Sequence, residues 1–126
     1  MINVITGINT INTIRGSDEA HVAKHLSLAY EHMYTFNRQG WCRCDPKTGC
    51  WIPFPEAASA LRWAALKEIR PSILSEAERA HRRYIVDYSN AIHFETAVRL
   101  YAIYNRFAEP AFISNVLSAY RRIHAD

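Results

Sequence analysis

The chain has little glycine. Four glycines in 126 residues leave no room for the loops that cradle phosphates or dinucleotides. It carries no phosphate loop, no Gly-x-Ser-x-Gly elbow, no His-Glu-x-x-His helix and no dinucleotide fingerprint. A Cys–His pair that meets only in space stays open, so the balance leans away from an enzyme without closing that class. No apolar run approaches the roughly 20 residues that cross a bilayer, which argues against a membrane protein or a membrane partner. The start, Met1 to Gly7, has neither the basic flank nor the apolar block of a secretory signal. A cytoplasmic location is therefore expected, where thiols stay reduced, and three cysteines cannot all pair with one another. The formal charge of +3 is far below that of a nucleic-acid-binding tail.

What is present suits one domain. A hydrophobic content of 49% is enough for a single core at this length. Ile5, Ile8, Ile11 and Ile14 recur every third position, a period that fits neither helix nor strand. Residues 1–16 are read as an extended or irregular arm, able to lie on the domain or to join a second copy. Residues 17–126 are read as one mainly α domain of about five helices. Ser17 followed by Asp18 and Glu19 marks a helix start, with Val22, Leu26, Ala29, Met33 and Phe36 on its apolar face and Gly40 as its stop. A second helix runs from Pro55 to Ile69 and ends at Pro71. A third is capped by Ser75 and Glu78 and reaches Tyr88. A fourth covers 94–107, burying Val98 and Tyr101. A fifth opens at Pro110 and carries Ile113, Val116, Leu117, Tyr120 and Ile123.

Between the first two helices a short β-hairpin is expected over about 41–52. Asp45-Pro46-Lys47-Thr48-Gly49 has turn chemistry at every position, with Gly49 left-handed. With Cys44 facing Cys50, Arg43 lies beside Trp51 in reach of a cation–π contact, and two cysteines oppose each other. Three readings of the cysteines follow. Cys42, Cys44 and Cys50 supply thiolates for zinc, although a single residue between the first two is tighter than zinc knuckles use. Alternatively Cys44 and Cys50 form a regulatory disulfide, or all three fill space as small apolar groups. The last is preferred, so no cofactor is expected and zinc is the one metal kept in view.

On the first helix His21, His25 and His32 fall within about 40° of one another, but His32 lies roughly 10 Å further along the axis. They cannot share one ion, although His21 and His25 could chelate edge-on. Half-buried histidines bonding their neighbours is the simpler account. Arg79, Arg82 and Arg83 cluster on the third helix with Tyr84, which invites nucleic acid by phosphate contact and stacking. Glu76, Glu78 and Asp87 on the same helix favour a solvated face laced with ion pairs, and no helix-turn-helix, zinc-finger or RNA-binding signature is present.

Gly40-Trp41-Cys42, the turn with Asp45 and Gly49, Cys50, and the small-residue helix Ala57-Ala58-Ser59-Ala60-Leu61-Arg62 resemble the hallmark of an uncharacterised bacterial and phage family of small helical proteins, a domain of unknown function. Tyr88-Ser89-Asn90 stands where the family has Trp-Asn-Asp. The likeness covers about residues 20–107; Ser59 replaces a glycine, and Trp51 to Glu56 reads as an insertion. The resemblance implies a helical scaffold on which the Trp41 hairpin packs, implies no activity, and suggests a phage or mobile-element origin with a host protein as partner. The leading expectation is a non-enzymatic interaction or regulatory protein acting through Trp41, Arg43 and Trp51. The alternative is a small metal- or nucleic-acid-binding module.

Overall fold

The computed structural model describes residues 8–125, with side chains from residue 18 onward. The first helix, α1, spans Ile8–Tyr30. Residues 8–16 are therefore helical, not an extended arm, while residues 1–7 of that arm lie outside the described residues. Asp18 and Glu19 sit inside α1 and do not mark its start: arginines far along the chain hold them there, as described below.

After α1 the chain forms three antiparallel strands in the order β1-β2-β3: Tyr34–Asn37, Gly40–Cys44 and Trp51–Pro53. The first of these was expected to be the end of a helix. Tyr-Thr-Phe is strand-forming, and Gly40, at φ 89°, closes a tight β1–β2 turn where a helix stop was expected. The Asn37 side chain accepts from the Gln39 backbone N–H at 2.8 Å within that turn. Gly49 at φ 72° closes the second turn, donating its N–H to the Asp45 carbonyl at 2.7 Å.

The β2–β3 register differs by one residue from the expected one. Cys44 lies opposite Trp51, Arg43 opposite Ile52 and Cys42 opposite Pro53. The cause is the Asp45 backbone N–H, which bonds the Cys50 carbonyl at 2.8 Å and makes that pair the base of the loop. A one-residue slip moves every side chain to the other face, so the two cysteines no longer oppose each other.

The next helical rod was expected as two helices parted at Pro71. It runs unbroken as α2 (Ala57–Ala64), a π-helical turn (Ala65–Ile69) and α3 (Arg70–Val86). Proline cannot donate a backbone bond and its ring crowds the carbonyl four residues back. A single wide turn relieves that crowding; the Arg70 N–H bonds the Ala65 carbonyl across it. Helices α4 (Ala91–Arg106) and α5 (Phe112–His124) complete the fold. The molecule is thus mainly helical, with four rods instead of about five, and a small sheet between the first two.

The core joins Val22 and Leu26 of α1, Leu61 of α2, Ile103 of α4, and Phe112, Val116 and Tyr120 of α5. The spacing of 112, 116 and 120 places those three on one face of α5. Val98 and Ile123, expected inside, are exposed. Helices α3 and α4 pack chiefly on each other as an antiparallel hairpin, while α5 lies against α1 and β1. Among the described residues no helix is long and apolar enough to cross a membrane.

Candidate functional site

Three regions carry chemistry. On the sheet, Trp41 is half-buried against the core, its ring 5.8 Å from that of Tyr120 and 5.2 Å from that of Phe36. Trp51 is exposed on the short β3 strand. Arg43 lies over the Phe54 ring at 5.4 Å, so the expected contact with Trp51 is replaced by one with Phe54. The interaction residues Trp41, Arg43 and Trp51 are therefore divided between core packing, a cation–π contact and solvent.

The cysteines are likewise dispersed. Cys42 is buried, Cys44 half-buried and Cys50 exposed, and none is bonded to another. The Cys42 thiol donates to Asn37 Oδ1 at 3.5 Å. Among the described residues no group of three or more His, Cys, Asp or Glu is placed to hold a metal ion.

The α1 histidines divide in the same way. His21 and His25 meet edge to face at 4.7 Å, while His32 is exposed beyond the helix end. His21 Nε2 is buried without a hydrogen-bond partner. Burial, with the charges of His25, Arg99 and Lys24 adding to it, pushes the His21 pKa down to about 4. A histidine with a lowered folded pKa stabilises the fold fully above its unfolded pKa of about 6.5, and loses that contribution as pH falls toward about 4. The His21→Leu variant is expected to lose less stability than the natural chain between neutral pH and pH about 4. Urea unfolding across that range checks this; parallel curves contradict it.

Near the C-terminus, Ser27 Oγ lies 2.9 Å from His124 Nε2, and Thr35 Oγ1 lies 3.1 Å from Nδ1. Burial holds the His124 pKa below the usual histidine value. That order of contacts is one a nucleophile–base pair takes. Ser27, however, is only 5% exposed. It does not line the open cavity of about 670 Å³ that His124 shares with Phe36, Asn37, Arg38, Gln39 and Ala125. The three side chains join α1, β1 and the end of α5.

The third region is the turn end of the α3–α4 hairpin. Helix α3 stops at Val86, and the Asp87 N–H still bonds the Arg83 carbonyl at 2.9 Å. Asn90 caps α4, its side chain accepting from the Ile92 N–H at 3.1 Å. Ser89 donates to the Asp87 carboxylate at 2.7 Å. This polar turn holds apolar groups out in solvent: Ile85, Val86, Tyr88 and Ile92 are 63%, 86%, 76% and 58% exposed. Arg79, Arg82, Arg83, Val86, Asp87 and His93 line an open groove of about 390 Å³ along the same end. The three arginines read as nucleic-acid candidates are thus brought together. Tyr84 is not with them; it is half-buried, its ring 5.1 Å from that of Phe94. The expected ion pairs with Glu76 and Glu78 do not form: among the described residues no carboxylate lies within 4 Å of Arg79, Arg82 or Arg83.

Ile85, Val86 and Ile92 were not singled out from the sequence, although a signal existed. Ile73, Ala77, Ala80 and Tyr84 form the stripe of α3 that meets α4, and Ile85 and Val86 lie off it. Compared with protein-family models, with curated proteins and with solved structures, the chain matches none.

Proposed function

We propose that this is a non-enzymatic interaction protein that binds a protein partner through the turn end of the α3–α4 hairpin. One observation carries the reading: Ile85, Val86, Tyr88 and Ile92 are each exposed at the turn end of the α3–α4 hairpin, where Val86 and three arginines line a groove. Monomeric proteins rarely leave large contiguous apolar groups in water unless something covers them. Aromatic residues and arginine anchor interfaces more than other residues do. The surface proposed from sequence was aromatic and basic, with Trp41, Arg43 and Trp51; the one proposed here is basic and mainly aliphatic, with Tyr88 its aromatic member, and lies at the hairpin end instead of on the sheet. A phage or mobile-element origin, with a host protein as the partner, belongs to the same reading.

A second reading is nucleic-acid binding, supported by the convergence of Arg79, Arg82 and Arg83 on one groove. Salt separates the two, because phosphate contacts weaken steeply with ionic strength and apolar contacts hardly respond. Metal binding by the cysteines has no comparable support. Self-association through the N-terminal isoleucines rests on side chains outside those described.

The test is the double variant Ile85→Asp, Val86→Asp. Both residues are exposed, so helical content and thermal midpoint are expected to stay as in the natural chain. Affinity for a partner recovered from the source cell is expected to fall by more than about thirtyfold, the effect of losing ~2 kcal/mol at an interface centre. Unchanged affinity contradicts the reading.

A further inference from the structure

We infer that the groove beside the hairpin turn receives an acidic amphipathic helix of the partner, with carboxylates one turn apart. This deepens the reading of the hairpin end as the binding surface and rests on it. Arg79, Arg82, Arg83 and Val86 stand at positions i, i+3, i+4 and i+7 of α3, on a single helix face. His93 of α4 forms the opposite wall, its Nε2 3.4 Å from the Asn90 amide.

Among the described residues two arginines pair closely with carboxylates, whereas Arg38, Arg43, Arg62, Arg70, Arg121 and Arg122, like the groove arginines, pair with none. Arg99 and Arg106 both reach Asp18, and Arg106 also reaches Glu19 and Glu109. The groove arginines have carboxylates available on their own helix, in Glu76 and Glu78, and take neither. Three arginines line one groove, largely through their apolar stems, with Asp87 as the one carboxylate among the lining residues, already engaged by Ser89. That charge selects an anionic occupant. It disfavours a second copy docked face to face, because like charges would meet. The exposed aliphatic groups then separate the anionic candidates. Tyr88 offers a ring and a hydroxyl to either occupant, whereas Ile85 and Val86 present neither a stacking face nor a donor to a nucleic acid and match the apolar stripe of an amphipathic helix. From Arg79 to Arg83 the helix rises about 6 Å. Carboxylates at i and i+4 of a second helix have the same spacing, and each can take a guanidinium through two parallel hydrogen bonds.

The probe is a fluorescein-labelled synthetic helix of about five turns, with glutamates at i, i+4 spacing beside a leucine stripe. Its counterpart carries lysine for glutamate. Anisotropy titrations use the full-length protein at low and high salt, with an oligothymidine and anionic vesicles as competitors. The glutamate helix is expected to bind and the lysine helix not to. Arg82→Glu with Arg83→Glu is expected to weaken the glutamate helix at least about tenfold and to admit the lysine helix. Both positions are exposed, so folding is checked by circular dichroism alone. Failure of the glutamate helix to bind, or binding indifferent to the arginine substitutions, overturns the inference. Preferential binding of the oligothymidine or the vesicles, lost in the same variant, overturns it in favour of those ligands. The reading of the hairpin end as the binding surface fails separately, on the Ile85 and Val86 variants.

Discussion

Replacing Tyr120 with alanine is expected to destabilise the fold by about 3–5 kcal/mol, the range for truncating a buried aromatic. Tyr120 is among the largest fully buried side chains, and it joins three elements. Its ring stacks on His124 at 4.3 Å and meets Trp41 at 5.8 Å. Its hydroxyl donates to the Tyr34 carbonyl at 2.7 Å, capping the outer edge of β1. Burial of that hydroxyl, with Glu31 and Tyr34 nearby, raises its pKa, so it stays a donor throughout the working range. Tyr120→Phe keeps the ring and strands the carbonyl, a loss of about 1–3 kcal/mol. Urea unfolding of both variants separates packing from the hydrogen bond. A Tyr120→Ala loss below about 1 kcal/mol contradicts this account of how α5 holds the sheet, being well under the cavity range.

The second large effect is expected at Asp18. Its carboxylate is 3% exposed and lies between Arg99 Nη1 at 3.4 Å and Arg106 Nη1 at 3.1 Å. Burial raises the Asp18 pKa, against the pull of the two guanidiniums. Such a pair adds little over well-packed apolar groups, but breaking it on one side leaves an uncompensated charge indoors. Asp18→Ala is therefore expected to cost about 3–5 kcal/mol, and replacing Arg99, which pairs with Asp18, by methionine in the same chain to recover part of it. A double-mutant cycle by chemical denaturation reads the coupling. Additive losses contradict the pairing.

These two side chains show why part of the fold was legible and part was not. The apolar face of α5 follows from residues within a few turns of one another, and Ile113, Val116, Leu117 and Tyr120 are buried as expected. The left-handed Gly49 follows from its own turn. Asp18 and Glu19 read locally as a helix start, whereas Arg106, 88 residues from Asp18, decides their use. Pro71 reads locally as a stop, whereas one π-helical turn lets the rod continue. Tyr34 to Asn37 was placed in a helix because Gly40 has the same left-handed freedom at a helix end as in a hairpin. The register of β2 and β3 hinged on whether Asp45 belongs to the loop or to its base, and one backbone bond to Cys50 decides it.

At the candidate site the arginine cluster was legible because i, i+3, i+4 spacing puts Arg79, Arg82 and Arg83 on one face. Their lack of carboxylate partners was not, since Glu76 and Glu78 lie at pairing distance in sequence. Trp41 and Trp51 look alike in the sequence, yet one meets Tyr120 in the core and the other faces solvent.

The measurement that tests the central claim most directly is photo-crosslinking from two positions in the full-length protein. A benzophenone amino acid replaces Tyr88 at the hairpin turn in one sample and Trp51 on β3 in the other, and both are irradiated in extract of the source cell. Adducts of one defined mass from position 88, and none from position 51, are the result expected if the α3–α4 turn is the working surface. A defined adduct from position 51 alone contradicts it and returns the interaction to the sheet.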